Sequence, residues 1–405
     1  MAKGGGKFYK TVLPNGMTLL FERRNVPIIS TIAATRFGGA YESDKIKGIA
    51  HFIEHSVFET TKRTSKEINL EIEKKGGEWN AFTSEEETAF WVKMDSKHFD
   101  LSMDIISDIM FHPAFTDKNF KKEKGIILQE IKMYHDLPNY HVLDRLKDTL
   151  YQKPFAIPII GTEKIISTVP KQTLADYHNK YYTPSNMVLS VSGKAEFEEV
   201  KDLAKKYFQK KSPQNKFDVP FKIIPLNSTN NVVEKRKNLD QAHLAMGFII
   251  PSRTEKGRYS SEILNASLGV GMSSPLVQEI REKRGLAYSV KSDLDQGNNF
   301  GYCYVYAGIR KDAVNDVKEI ILREIKKLSN LQKRDFEETK EQLIGRYYLD
   351  MENSMKTAQN LMYEELTGGA EEYYKYPERI SSVKLADVRK LAKIKHYGYV
   401  AVVPE

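Results

Sequence analysis

Short runs of alternating or continuous apolar residues recur along this chain, separated by longer stretches with apolar positions every three or four residues. From Lys10 to about Gly193 strand-like runs alternate with amphipathic helical stretches, until the polar, lysine-rich QKKSPQNKF (Gln209 to Phe217) interrupts the pattern. The same alternation then resumes. LAMGFII (Leu244 to Ile250) and GYCYVYAGI (Gly301 to Ile309) read as strands, two long helical stretches follow, and YVAVVPE closes the chain as a strand. This pattern predicts two similar α+β domains, 1–212 and 213–405, each a mainly antiparallel sheet packed with helices. Visible identity between the halves is poor, so the repeat is expected in architecture and not in sequence.

Capping chemistry marks several helix ends. Thr64 followed by Glu67 has the spacing of a capping box, and the helix it opens runs through EINLEIEKK to the stop signal Gly76-Gly77. In the second half Ser274-Pro275 supplies an N-cap and a proline at the first helical position, and Gly285 closes the turn after QEIREKR.

One helical stretch carries candidate chemistry. In HFIEH, His51 and His55 are four residues apart, so on a helix both imidazoles project from one face and can reach a single ion. Glu54 lies beside His51 on that face, while Ile49, Phe52, Ile53 and Val57 occupy much of the rest, as in a helix packed inside a domain. Chance alone places H-x-x-E-H in roughly one or two of a hundred sequences of this histidine content. A catalytic zinc also needs a third protein ligand beside its water. An acidic residue on a facing element would complete the set. The segment KNFKKEKGIILQEIKMYHDLP reads as a helix closed before Pro138, on which Glu123 and Glu130 stand two turns apart on one face.

Composition narrows the setting. The chain has 405 residues, beyond what one hydrophobic core usually organises. Its 62 Lys+Arg against 54 Asp+Glu give +8, but both signs are interspersed, which predicts a hydrated surface and no nucleic-acid partner. Cys303 is the single cysteine, so no intrachain disulfide can form, and metal ligands must come from His and carboxylates. A reducing, cytoplasmic location is expected. The start MAKGGGKFYK lacks the apolar segment of a secretory signal, and no run of about 18 apolar residues occurs, so no membrane partner is expected.

The chain resembles the inverted zincins, whose H-x-x-E-H reverses the commoner H-E-x-x-H order. Among them it is similar to the pitrilysin, insulinase and mitochondrial processing peptidase family, and most of all to its short prokaryotic members. LPNGMTLLFE, GGEWNAFTSEEETAF, YYTPSNMVLSVSG and GVGMSSPLVQEIREKRGLAYSV resemble family blocks in the expected order, so the resemblance spans essentially the whole chain. It departs at Val270, where a glycine is usual, and at Pro275, where an arginine is common.

The resemblance implies a third ligand about seventy-five residues beyond the second histidine, which singles out Glu130, with Glu123 as the carboxylate that orients a ligating histidine. It further implies that Arg281 and Tyr288 contact the substrate backbone near the scissile bond. The strand from Trp79 to Thr83 would pair with substrate through the backbone of Asn80 and Ala81. The expected activity is that of a zinc metalloendopeptidase, one Zn²⁺ per subunit, with Glu54 as general base. Such an enzyme would hydrolyse peptides or unstructured segments inside a chamber formed by two subunits. One chain supplies half of such a chamber, and because it holds both residue sets a homodimer is expected, with a heterodimer as the other arrangement. The competing readings are a processing peptidase acting on a presequence or small precursor, and a non-catalytic scaffold subunit.

Overall fold

In the computed structural model six strands form one sheet: β1 (Phe8–Val12), β2 (Thr18–Arg23), β3 (Ile28–Thr35), β4 (Glu78–Thr83), β5 (Thr88–Asp95) and β6 (Met187–Gly193), in the order β1-β2-β6-β3-β5-β4. Five more, β7 (Asn230–Arg236), β8 (Ala242–Ile249), β9 (Ala287–Gln296), β10 (Gly301–Ile309) and β11 (Gly398–Pro404), form a second sheet in the order β7-β11-β8-β10-β9. Residues 6–211 and 216–405 are described, so the start of the N-terminal segment and the domain boundary drawn between 212 and 213 lie outside the described residues.

Both sheets are mainly antiparallel, with one parallel pair each, β2/β6 and β7/β11. Setting β1 aside, the strand order is the same in both: first, last, second, fourth, third in chain sequence. The expected architectural repeat is therefore present in topology. It leaves the third strand of each repeat, β4 and β9, at a sheet edge.

Backbone packing divides the chain into two units that are not continuous stretches. One holds the residues up to Ile131, Pro158–Lys222 and Tyr348–Tyr374; the other holds Lys132–Ile157, Ile223–Tyr347 and Lys375–Glu405. In the first unit Ser30 and Thr31 of β3 point to opposite faces, as successive strand residues must. Ser30 Oγ meets Ser354 Oγ at 2.8 Å, from the helix Ser354–Thr367, and Thr31 Oγ1 meets Ser102 Oγ at 3.1 Å, from the helix Phe99–Phe111. The sheet is thus covered on both sides. This accounts for β6, MVLSVSG, being buried along its whole length.

In the second unit Ala242, Leu244, Met246 and Phe248 of β8 line one face and join a core with Ile263, Leu264 and Leu268 of the helix Arg258–Gly269 and Val317 and Ile321 of the helix Val314–Leu328. The other face receives the helix Pro138–Leu150 so closely that a Cβ on Gly247 would meet Leu146 at 3.0 Å.

The helices before these are α1 (Ile49–Ser56), α2 (Ser65–Glu73), α3 (Phe99–Phe111), α4 (Asp117–Asp136) and α5 (Pro138–Leu150). The Thr64/Glu67 capping box is formed and opens α2, and Gly76 takes φ +67° just beyond it. Pro275 does take the first helical position, but the capping expectation at Ser274 needs correction. Val277–Glu282 is wound as a π-helix, and the Ser274 hydroxyl is buried with no hydrogen-bond partner in place of capping. Lys283 N–H reaches Gln278 O at 2.9 Å, so each turn takes up an extra residue before Gly285 reverses the chain at φ +59°. No helix among the described residues is long and apolar enough to cross a membrane.

Candidate metal centre

Helix α1 is held at both ends. Gly48 precedes it at φ +102°, and the backbone N–H groups of Gly48 and Ala50 donate to Glu42 Oε2 and Oε1 at 3.0 and 2.6 Å. A carboxylate suits the positive end of a helix. Glu42 is fully buried, as is Lys47, whose Nζ donates to Gly39 O at 2.6 Å and lies 3.5 Å from Glu85 Oε2. Burial pushes the Glu42 carboxyl up to about 7, against the pull of Lys47 and of the two N–H groups. At the other end Asn119 of α4 donates Nδ2–H to Ser56 O at 3.0 Å, and Phe120 stacks on Phe52 with centroids 5.2 Å apart. Ile49, Phe52 and Ile53 are fully buried, leaving His51, Glu54 and His55 on the remaining face of α1.

The Phe52–Phe120 contact brings the acidic face of α4 onto that of α1. Glu130 Oε2 lies 3.8 Å from His51 Nε2 and 3.5 Å from His55 Nε2. One ligand atom from each of His51, His55 and Glu130 falls within 4.8 Å of the others. Glu130 Oε2 and His51 Nδ1 are buried without a hydrogen-bond partner. An unpartnered buried acceptor is costly, and a divalent cation among two imidazoles and a carboxylate removes the cost, so the donor set fits zinc. Burial, with His55 adding to it, drives the His51 pKa down to about 3, so its imidazole is neutral and able to ligate.

Glu123 Oε2 lies 3.4 Å from His55 Nδ1. With Nδ1–H donating to that carboxylate, the Nε2 lone pair is left available to a metal ion. Burial pulls the His55 pKa down, but the hydrogen bond to Glu123 and the nearby Glu54 and Glu130 carboxylates outweigh it, and the net shift is upward.

Glu54 is nearly buried, and that burial raises its pKa, partly offset by the hydroxyl of Thr83, which donates to Oε2 at 2.6 Å. A carboxylate with a raised pKa beside a candidate metal centre is suited to accept a proton. Thr83 belongs to β4, whose outer edge is unpaired in the sheet. On that strand Asn80 is exposed, and its Oδ1 accepts the Ala81 N–H at 2.8 Å.

In the second unit the π-helix and β9 bring Arg281 and Tyr288 together. The guanidinium stands 5.8 Å from the ring centroid, and Tyr288 is 85% exposed. Arg281 also reaches Met272 Sδ at 4.0 Å and Glu282 at 3.5 Å.

Reading the sequence alone passes over Glu42, Lys47 and Thr83. Glu42 is six to eight residues from the N–H groups it accepts, outside any capping spacing. Gly48 immediately before the helix is the one local signal of an unusual start.

Residues 30–163 match the family profile described as insulinase (peptidase family M16), and residues 168–343 match the M16 "inactive domain" profile. The second of these segments contains no H-x-x-E-H. An uncharacterized zinc protease of Bacillus subtilis, YmxG, is 31% identical over 94% of this chain and 93% of its own length. One from Rickettsia bellii is 32% identical over 95% and 94%. A protease from Helicobacter pylori superposes with a TM-score of 0.91 at 22% identity, covering 99% of this chain and 100% of the other, a likeness that establishes the fold.

Proposed function

The chain belongs to peptidase family M16, and on that premise we propose that it is a zinc-dependent endopeptidase acting on peptides or unstructured segments. The observation that carries the proposal is the convergence of His51, His55 and Glu130 within 4.8 Å, with Glu54 on the same helix face. Zinc bound there would polarise a scissile carbonyl and acidify a water.

The chain's own residues would do the rest. Glu54 takes the proton of the attacking water and returns it to the leaving amine. Glu123 fixes the His55 ring. Peptide enters as an extra strand on the free edge of β4, using backbone groups of Asn80 and Ala81, a mode that tolerates many side chains. Tyr288 donates a hydrogen bond to the developing oxyanion and Arg281 anchors a neighbouring carbonyl. Having both residue sets in one chain supports a homodimer, in which the zinc residues of one subunit work with Arg281 and Tyr288 of its partner.

Mass-spectrometric mapping of products from a mixed peptide library, with and without a chelator, tests the reading. Cleavage at many unrelated sites that stops on chelation is the expected result. No cleavage by zinc-loaded protein would favour a scaffold role, and cleavage at one motif a processing peptidase. Light scattering beside the activity assay tests the assembly: a monomer with full activity contradicts the dimer.

A further inference from the structure

We propose that Thr83 is a positioning residue that couples the substrate-pairing strand to the general base. This rests on Glu54 being that base. Thr83 is the last residue of β4, two beyond Ala81, so its side chain shares a face with those of Ala81 and Trp79. That face turns toward α1. Trp79 packs edge-on against Phe58, just past the end of α1, at 4.8 Å, and Thr83 Oγ1 donates to Glu54 Oε2 at 2.6 Å.

The direction of that bond is fixed by chemistry, because an ionised carboxylate only accepts. Its second oxygen takes no protein hydrogen bond among the described residues. One oxygen of the base is therefore held by the strand and the other is left for the proton it must move. Thr83 is anchored in turn. It pairs with Thr88 across the β4/β5 ladder, their hydroxyls lie 3.4 Å apart, and Thr88 Oγ1 donates to Phe37 O at 2.8 Å. The strand to whose outer edge a peptide would add is therefore the same strand whose end fixes the carboxylate's rotation, and that bond is formed with no peptide present. Base and substrate edge thus share one rigid support, which suits an enzyme that grips its substrate by the backbone and not by particular side chains.

Valine matches the shape of threonine without the hydroxyl, so Thr83→Val is the informative variant and Thr83→Ser its control. The full-length, zinc-loaded protein is assayed with a quenched peptide. Thr83→Val is expected to keep its zinc and its KM but to lose roughly ten- to a hundred-fold in kcat, the rate equivalent of one hydrogen bond to a charged group. Thr83→Ser is expected to restore most of it. In a Glu54→Gln background the same replacement should change little, since the two residues act as one unit. A crystal structure of Thr83→Val supplies a reading independent of activity, in which the Glu54 carboxylate is expected to rotate from its native position.

Native kcat in Thr83→Val, an equal loss in the Glu54→Gln background, or an unmoved carboxylate would each overturn the proposal. If Glu54→Gln itself remains fully active, the general-base reading fails instead, and that outcome is separately visible.

Discussion

Glu123 Oε2 lies 3.4 Å from Nδ1 of His55, on the side of the ring away from Glu130, which approaches Nε2 at 3.5 Å. The imidazole is thus held between two carboxylates seven residues apart on α4, one placed to set its tautomer and the other placed to share a metal ion with it.

That arrangement predicts a graded response on α4. Glu123→Gln keeps the shape but weakens the orienting charge, and zinc affinity should fall about 10- to 100-fold in a competitive chelator titration. Glu130→Ala should do more, leaving protein without one stoichiometric zinc by elemental analysis. A full complement of metal in Glu130→Ala would remove it from the ligand set.

Glu54→Gln separates metal binding from proton transfer. It should retain zinc while peptide hydrolysis falls by about 10²–10⁴-fold. Undiminished turnover would exclude Glu54 as the base.

Tyr288→Phe removes a hydroxyl from a side chain that is 85% exposed, so little change in folding stability is expected. If the hydroxyl meets the oxyanion, kcat should drop about 10²-fold at unchanged zinc content. A kcat matching the native value would leave Tyr288 without that role.

Gly48 sits at φ +102°, and a Cβ there would meet Ile160 O at 2.7 Å and Gly161 Cα at 3.0 Å. Gly48→Ala should therefore cost about 1–3 kcal/mol in denaturant unfolding and weaken zinc binding by moving the start of α1. Native stability in this variant would show that the backbone accommodates a side chain at no cost.

His178 gives a pH-dependent prediction away from the metal. It is buried, its ring is 4.4 Å from that of Tyr182, and its Nε2–H donates to Met110 O at 3.0 Å. Burial, and secondarily Lys210, depresses its pKa to about 3. Its folded-state pKa lies below the ordinary 6.5, so the unfolded chain binds the proton first. The stability it contributes is present above about pH 6.5 and is lost as pH falls toward 3, at roughly 1.4 kcal/mol per pH unit. Unfolding free energies between pH 7 and 4 should show a shallower slope in His178→Gln; identical slopes would refute the assignment.

Local pattern was enough to specify the parts of the site that depend on one element. The four-residue spacing of His51 and His55 and the seven-residue spacing of Glu123 and Glu130 put each pair on one helix face, because helix geometry is set by neighbours in the chain. The Thr64/Glu67 box and the strand Gly301–Ile309 were legible for the same reason. The π-winding at Val277–Glu282 was not, since the residues that open an α-helix also open a π-helix and only the closing hydrogen bonds differ.

Tertiary structure alone decided which carboxylate meets which imidazole nitrogen. It also decided that Glu42 caps α1 by accepting the Gly48 N–H six residues on, that Thr83 holds Glu54, and that segments 132–157 and 348–374 each pack with the unit built mainly from the other half of the chain. Those outcomes depend on contacts between residues far apart in sequence, whose energies come from burial and complementary shape. Periodicity, which describes a single helix or strand, carries no record of them.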